Sequence, residues 1–170
     1  MTRKEILIHR ANEYAQHYQL ALCEELGFGV HGIVFATERH PKIGDSPLRS
    51  ALKIHEGETP YRRERDIYLR LKERGVIEVR GCEVPRLIRF DDRLLAIEMS
   101  MVSRPFILDF AGAYLDYFPD FPEEAIADWR AEKAEQFGER WPEVQAILRE
   151  LETYGIYMED VSPSNIGFLE

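Results

Sequence analysis

Residues 27–38 read Gly27-Phe28-Gly29-Val30-His31-Gly32-Ile33-Val34-Phe35-Ala36-Thr37-Glu38, a GxGxxG run continued at once by residues of strand type. The element after the glycines decides the fold. A dinucleotide-binding fingerprint needs a helix there, so that its N-terminus can hold a pyrophosphate. Here a strand stands instead, with Gly32, Val34 and Ala36 on one face. Strand character also precedes the glycines, in Leu20-Ala21-Leu22-Cys23-Glu24-Glu25-Leu26. The segment therefore predicts a hairpin whose tip can close over phosphates; taken alone, the same run is an ordinary glycine-rich turn.

Outward from this hairpin, a polar connector, HPKIGDSP from His40 to Pro47, leads to LRSALKIH, Leu48 to His55, a third antiparallel strand. Ala51 and Lys53 share one of its faces and Leu52 and Ile54 the other. Thr59 and Pro60 then read as an N-cap and a first-turn proline of a helix that Gly75 ends. On that helix Glu64, Ile67, Tyr68 and Leu71 fall at i, i+3, i+4 and i+7, which puts one carboxylate on the apolar stripe. A buried charge needs a partner, and Lys53 on the preceding strand is the candidate. The alternative leaves Glu64 in solvent among Arg62, Arg63 and Arg65. VPRLIRF and RLLAIEM, joined by Asp91 and Asp92, predict a second hairpin.

Before the sheet, Leu7, Ala11, Tyr14, Ala15 and Tyr18 repeat at helical spacing, predicting an amphipathic docking helix over residues 1–19. After Ser103 the chain reads as helical throughout, with Pro122 and Pro142 starting helices that Gly138 and Gly155 stop. Nine of the nineteen aromatic residues lie between Phe106 and Trp141. They either fill the core of a helical lobe, the reading favoured by their spacing, or line a partner groove.

The 170 residues are 45% hydrophobic, enough for one compact domain or two small lobes. No apolar run approaches the roughly 18 residues of a membrane span. Acidic residues outnumber basic ones 31 to 22, a net charge of -9 that opposes binding to a phosphate backbone and argues against nucleic acid. The N-terminal stretch resembles neither a secretory signal nor a transit peptide, which predicts a cytoplasmic location. Cys23 and Cys82 are too few for a disulfide framework and read as small buried thiols.

Near the end stands Tyr157-Met158-Glu159-Asp160-Val161-Ser162-Pro163-Ser164-Asn165, in which a proline holds a non-helical loop between a carboxylate and an amide. By itself this is a turn. In their order and spacing, however, the segments from Leu20 to Leu169 resemble the eukaryotic-type protein kinase family. LGFGVHGIVF is similar to its glycine-rich loop, ALKI to the strand bearing the phosphate-binding lysine, and Glu64 to that lysine's partner. RLLAIEMS resembles the fifth strand and hinge, with Ile97 at the gatekeeper position and Glu98 to Ser100 along the adenine edge. GIYMEDVSPSNIGF resembles the catalytic loop.

The resemblance implies an α+β, two-lobed fold: a five-stranded antiparallel lobe with one key helix over residues 20–103, and a reduced helical lobe over 104–170. It implies ATP between the lobes, bound through Gly27, Phe28, Gly29, Val30, Gly32, Val34, Ala51, Lys53, Glu64, Ile97, Glu98 and Ser100. Lys53 would orient phosphates, Asp160 would accept a hydroxyl proton, and Asn165 would hold Mg²⁺. Departures temper this. Met158 and Glu159 stand where the family has His-Arg, so a phosphorylation switch is not expected. Ser162 replaces a lysine, and the family's Asp-Phe-Gly would lie roughly a dozen residues beyond Asn165. Glu170 is the only acid after Asn165. The expectation is a kinase-family ATP site with impaired transfer to a hydroxyl substrate, the alternatives being a pseudokinase-like binding module or an adaptor without nucleotide. The apolar strand NIGFLE calls for cover by this chain or by a partner.

Overall fold

The alternation of residues 20–39 and 48–55 does build strands, and the proline and glycine punctuation does bound helices. The computed structural model describes residues 1–39 and 46–169; most of the polar connector, and Glu170, lie outside the described residues. In chain order the elements are α1 (Arg3–Tyr18), β1 (Leu20–Gly29), β2 (Gly32–Arg39), β3 (Leu48–His55), α2 (Glu58–Glu73), β4 (Glu78–Val79), β5 (Cys82–Glu83), β6 (Leu87–Asp91) and β7 (Ala96–Ser100). Then come β8 (Phe106–Ile107), β9 (Tyr114–Leu115), α3 (Glu123–Phe137), α4 (Trp141–Thr153), β10 (Ile156–Tyr157) and β11 (Ile166–Gly167). The chain divides into two compact units, Met1–Arg65 with Arg86–Met101, and Asp66–Pro85 with the residues from Val102 onward. Residues 66–85, read from sequence with the sheet, thus group with the later part of the chain, and α2 contributes a half to each unit.

In the first unit the sheet is antiparallel throughout, in the order β1-β2-β3-β7-β6. Helix α1 lies against it. Thr2 and Glu5 form a reciprocal capping box at its start, satisfying N–H groups that would otherwise face no partner. Its apolar stripe, Leu7, Ala11 and Tyr14, packs with Ile33, Phe35, Leu52, Ile54, Leu94 and Ala96 in one buried cluster. Tyr18 packs on the edge of that cluster, with the Arg89 guanidinium 4.5 Å above its ring. Helix α2 starts at Glu58, one residue before the expected N-cap, because Pro60 tolerates any place in the first turn, where no intrahelical acceptor awaits its missing N–H.

The second unit is less helical than its sequence reads. Helices α3 and α4 stand where the prolines and glycines put them, but residues 104–121 carry no helix. Pro105 and Pro119 remove donors, and Asp109 and Asp116 adopt left-handed backbone at φ 61° and 65°, which a helix cannot accommodate. Short strands take their place. One sheet runs β11-β8-β5-β4 and another pairs β9 with β10. The terminal strand pairs within this chain on one side, where Ile166 and Gly167, both buried, meet Ile107 and Phe106, and it stands at the edge of its sheet. Arg70 makes two hydrogen bonds to Asp116 and a third to the Tyr154 carbonyl, and Gly155, at φ 77°, leaves the space these groups occupy.

The aromatic stretch does not simply become core. Phe110 and Phe137 are buried, but Tyr117 and Phe118 are 57% and 41% exposed. Without a helix through 104–121 there is no single inner face for every ring. Cys82 is buried and Cys23 only partly so, and both are free thiols. Among the described residues no helix is long and apolar enough to cross a membrane.

Gly32 is the position the sheet cannot spare. A Cβ there would collide with the Ile54 carbonyl oxygen, and its φ of 152° disfavours any L side chain. Gly32→Ala is expected to destabilise the protein by about 2 kcal/mol or more, read as a lower urea midpoint.

Candidate functional site

Strand alternation puts Ala51, Lys53 and His55 on the face of β3 opposite α1, and all three are buried. Glu64, on the first half of α2, is 1% exposed. Its Oε2 lies 2.7 Å from Lys53 Nζ and 2.6 Å from His55 Nε2, so one carboxylate oxygen serves two partners. Of the two open readings of Glu64, the helix therefore takes the buried ion pair. His55 is the partner that sequence reading missed. It stands two residues after Lys53, on the same face, which was signal enough to raise it.

The His55 ring is held at both nitrogens. Nδ1 is 3.2 Å from the Leu95 carbonyl and Nε2 reaches Glu64. A carbonyl and a carboxylate oxygen thus flank the ring on its two sides. Burial alone would push the Glu64 carboxyl up. Lys53 and His55 together outweigh that and hold it well below its ordinary value. Tyr61 packs edge-on to His55 at 5.5 Å and donates to Asp92, which Arg65 also binds at 2.6 Å, so α2 is tied to the turn after β6 as well.

Beside this cluster runs the glycine-rich hairpin. Gly29 pairs with Gly32 across a two-residue turn of Val30 and His31. In register, Gly32, Val34 and Ala36 oppose His55, Lys53 and Ala51. The three glycines differ in what they are for. Gly32 is required by backbone packing, whereas a Cβ on Gly27 or Gly29 would meet nothing within 4 Å and neither residue sits in the left-handed region. From α1, Arg3 donates to the Gly29 and Val30 carbonyls at 2.7 and 2.8 Å, and both Arg3 and Lys4 lie over the Phe28 ring. Val30 at the tip is 81% exposed.

Strand β7 separates its candidates by face. Ile97 opposes Lys53 in register and is fully buried on that side. Glu98 turns the other way, toward α1. There it accepts from the Tyr14 hydroxyl at 3.0 Å and Ser50 Oγ at 2.8 Å and pairs with Arg89 at 2.8 Å. That side chain belongs to the docking of α1. Ser100 Oγ accepts from the Arg86 N–H. Glu98 is paired in the ladder to both β3 and β6, and Ser100 to Ser50 and Arg86, so an adenine edge at 98–100 competes with sheet hydrogen bonds.

Asp160 and Asn165 lie in the second unit, so Lys53 with Glu64 and Asp160 with Asn165 are two separate groupings. Asp160 is exposed, and the Asn165 amide Nδ2 donates to the Asp160 carbonyl at 3.0 Å, closing the loop. The Ser162 carbonyl accepts from the Asn165 and Ile166 N–H groups, and Met158 is buried where the resemblance has histidine. As a magnesium site the donor set is poor. It offers the Asn165 amide oxygen and the single carboxylate of the exposed Asp160, and among the described residues no group of three His, Cys, Asp or Glu side chains is placed to hold a metal. Mg²⁺ anchors through one or two carboxylates and keeps its waters, so this loop would contribute only Asp160 and Asn165 to an ion carried by phosphates.

No protein-family model matches the chain, and no curated protein matches it either.

Because Glu64 holds its proton less tightly folded than unfolded, its contribution to stability is full above the ordinary glutamate range and is lost as the pH falls through the depressed folded value. Asp92 and Asp116 act in the same direction. The difference in stability between wild type and Glu64→Gln, measured by urea unfolding, should therefore be largest above about pH 5.5 and shrink as the pH falls through the ordinary glutamate range toward the folded value.

Proposed function

We propose that this chain binds ATP through its glycine-rich hairpin and Lys53, in the manner of protein kinase-like proteins, and transfers the γ-phosphate to a hydroxyl only slowly. The observation that carries the reading is the open space at Gly27 and Gly29. The fold does not need glycine at either position, whereas close approach of phosphates to backbone does. Supporting it, Lys53 is a buried ammonium oriented by Glu64 on the sheet face next to that hairpin. A lysine so held supplies a fixed positive charge for phosphate oxygens, and Ile97 supplies an apolar neighbour.

For transfer, the exposed carboxylate of Asp160 is the group suited to accept a hydroxyl proton. The Asp160–Asn165 loop offers Mg²⁺ a single carboxylate and an amide, so in this proposal the nucleotide brings most of its own counter-charge and the protein's share is chiefly binding. The same observation favours a second reading, a pseudokinase-type binding or scaffold module that holds nucleotide without turnover. Substrate class for the hydroxyl acceptor is left open by these motifs, which small-molecule and protein kinases share.

Saturating ATP should raise the melting temperature, a ligand at 100 times its dissociation constant contributing about 2.7 kcal/mol. The shift should depend little on Mg²⁺. Gly27→Ala with Gly29→Ala should leave the melting temperature of the free protein nearly unchanged and abolish most of the ATP shift, and Lys53→Ala should diminish it too. Absence of any shift at millimolar ATP, with or without Mg²⁺, overturns the nucleotide reading. Brisk Mg²⁺-dependent phosphorylation that Asp160→Asn removes overturns the slow-transfer part alone.

A further inference from the structure

The second unit contains a cavity of about 440 Å³, within the size range of small-molecule pockets. Its walls are aromatic: Phe118, Phe121, Trp129 and Tyr157 all line it. Phe118 is the centre of this wall, 5.5 Å from the Phe121 ring and 6.1 Å from that of Tyr157. Trp129 is fixed in place by its indole N–H, which donates to the Glu159 carbonyl at 3.2 Å.

Ala125, Ile126, Leu148 and Met158 add aliphatic surface, and three charged side chains, Glu152, Glu159 and Arg130, complete the lining. None of the three forms an ion pair with another residue among the described residues. Elsewhere on the chain the glutamates are often spent, as at Glu64, Glu98 and Glu58. Two carboxylates against one guanidinium leave the pocket net negative.

We infer that this pocket binds an organic cation, an ammonium group carried on a carbon framework. Ring faces carry the negative end of a quadrupole, so four rings favour a cation over a neutral body of the same shape. The carboxylates add to that field, and an anion would be repelled by two charges for the one it gains at Arg130. A neutral apolar ligand fills the walls and gains nothing from the two carboxylates. The site is built wholly within the second unit and does not rest on nucleotide binding by the first.

The test uses the full chain carrying Trp141→Phe, which leaves Trp129 as the only tryptophan and places the reporter in the wall of the pocket. Three probes share a benzyl ring and differ in charge: benzyltrimethylammonium, benzyl alcohol and phenylacetate. Fluorescence should change saturably with the cation, with the neutral alcohol about tenfold weaker and phenylacetate weaker still. Glu152→Gln with Glu159→Gln, checked for folding by circular dichroism, should weaken the cation several-fold, toward the alcohol's affinity. Equal binding of cation and alcohol shows a merely apolar pocket and overturns the inference. Tightest binding of phenylacetate, which would make Arg130 decisive, overturns it, as does the absence of any saturable change, and so does cation binding that the double variant leaves intact.

Discussion

Glu64 places a full negative charge in the interior of the first unit, and much of the surrounding structure depends on it. An unpaired carboxylate there would be intolerable, and removing a single partner from such a buried pair typically costs about 3–5 kcal/mol. Both its partners come from one strand, β3, two residues apart. That fixes which face of β3 meets α2, and with it the register in which Val34 and Ile97 flank Lys53. The arrangement is a poor way to gain stability, since an apolar substitute of similar volume often does as well. A charged cluster kept at such a place makes more sense as a means of holding the Lys53 ammonium in one orientation.

The opposite face of the same sheet repeats the device with different chemistry. Glu98 collects Tyr14, Ser50 and Arg89, and Thr37 extends the chain of contacts through Ser50 at 2.6 Å. The central strands are thus braced by one polar network on each side, each set within apolar packing. Fully satisfied networks of this kind specify one register of strand and helix, because a slip by one residue would bury every charge without its partner. The N-terminal helix is part of that logic: Tyr14 locks it to Glu98, and Arg3 carries it to the carbonyls of the glycine-rich tip.

The second unit is held differently. Its helices α3 and α4 are joined to short strands, two residues long, whose pairing depends on distant segments such as 106–107 with 166–167. Such pieces have no local sequence signal, since two residues show no periodicity. Irregular backbone between Pro105 and Phe121 leaves aromatic rings half-exposed around a concave wall, where a continuous helix would have turned them inward.

Much of this was legible in the chain itself. The period of two in residues 20–55, the carboxylate on the apolar stripe of α2, and the prolines and glycines bounding α2, α3 and α4 are local patterns, and local patterns determine element type and the face each residue takes. They led to the five-stranded antiparallel sheet and to Lys53 as partner of Glu64. Partner choice beyond adjacent elements was decided only by tertiary structure. That Glu98 faces Tyr14 from 84 residues away, and that Ile166 pairs with Ile107, depend on register and on loop closure. A sequence states which groups must find a partner, because burial makes an unmet charge costly; which partner they find is settled by where the rest of the chain comes to lie.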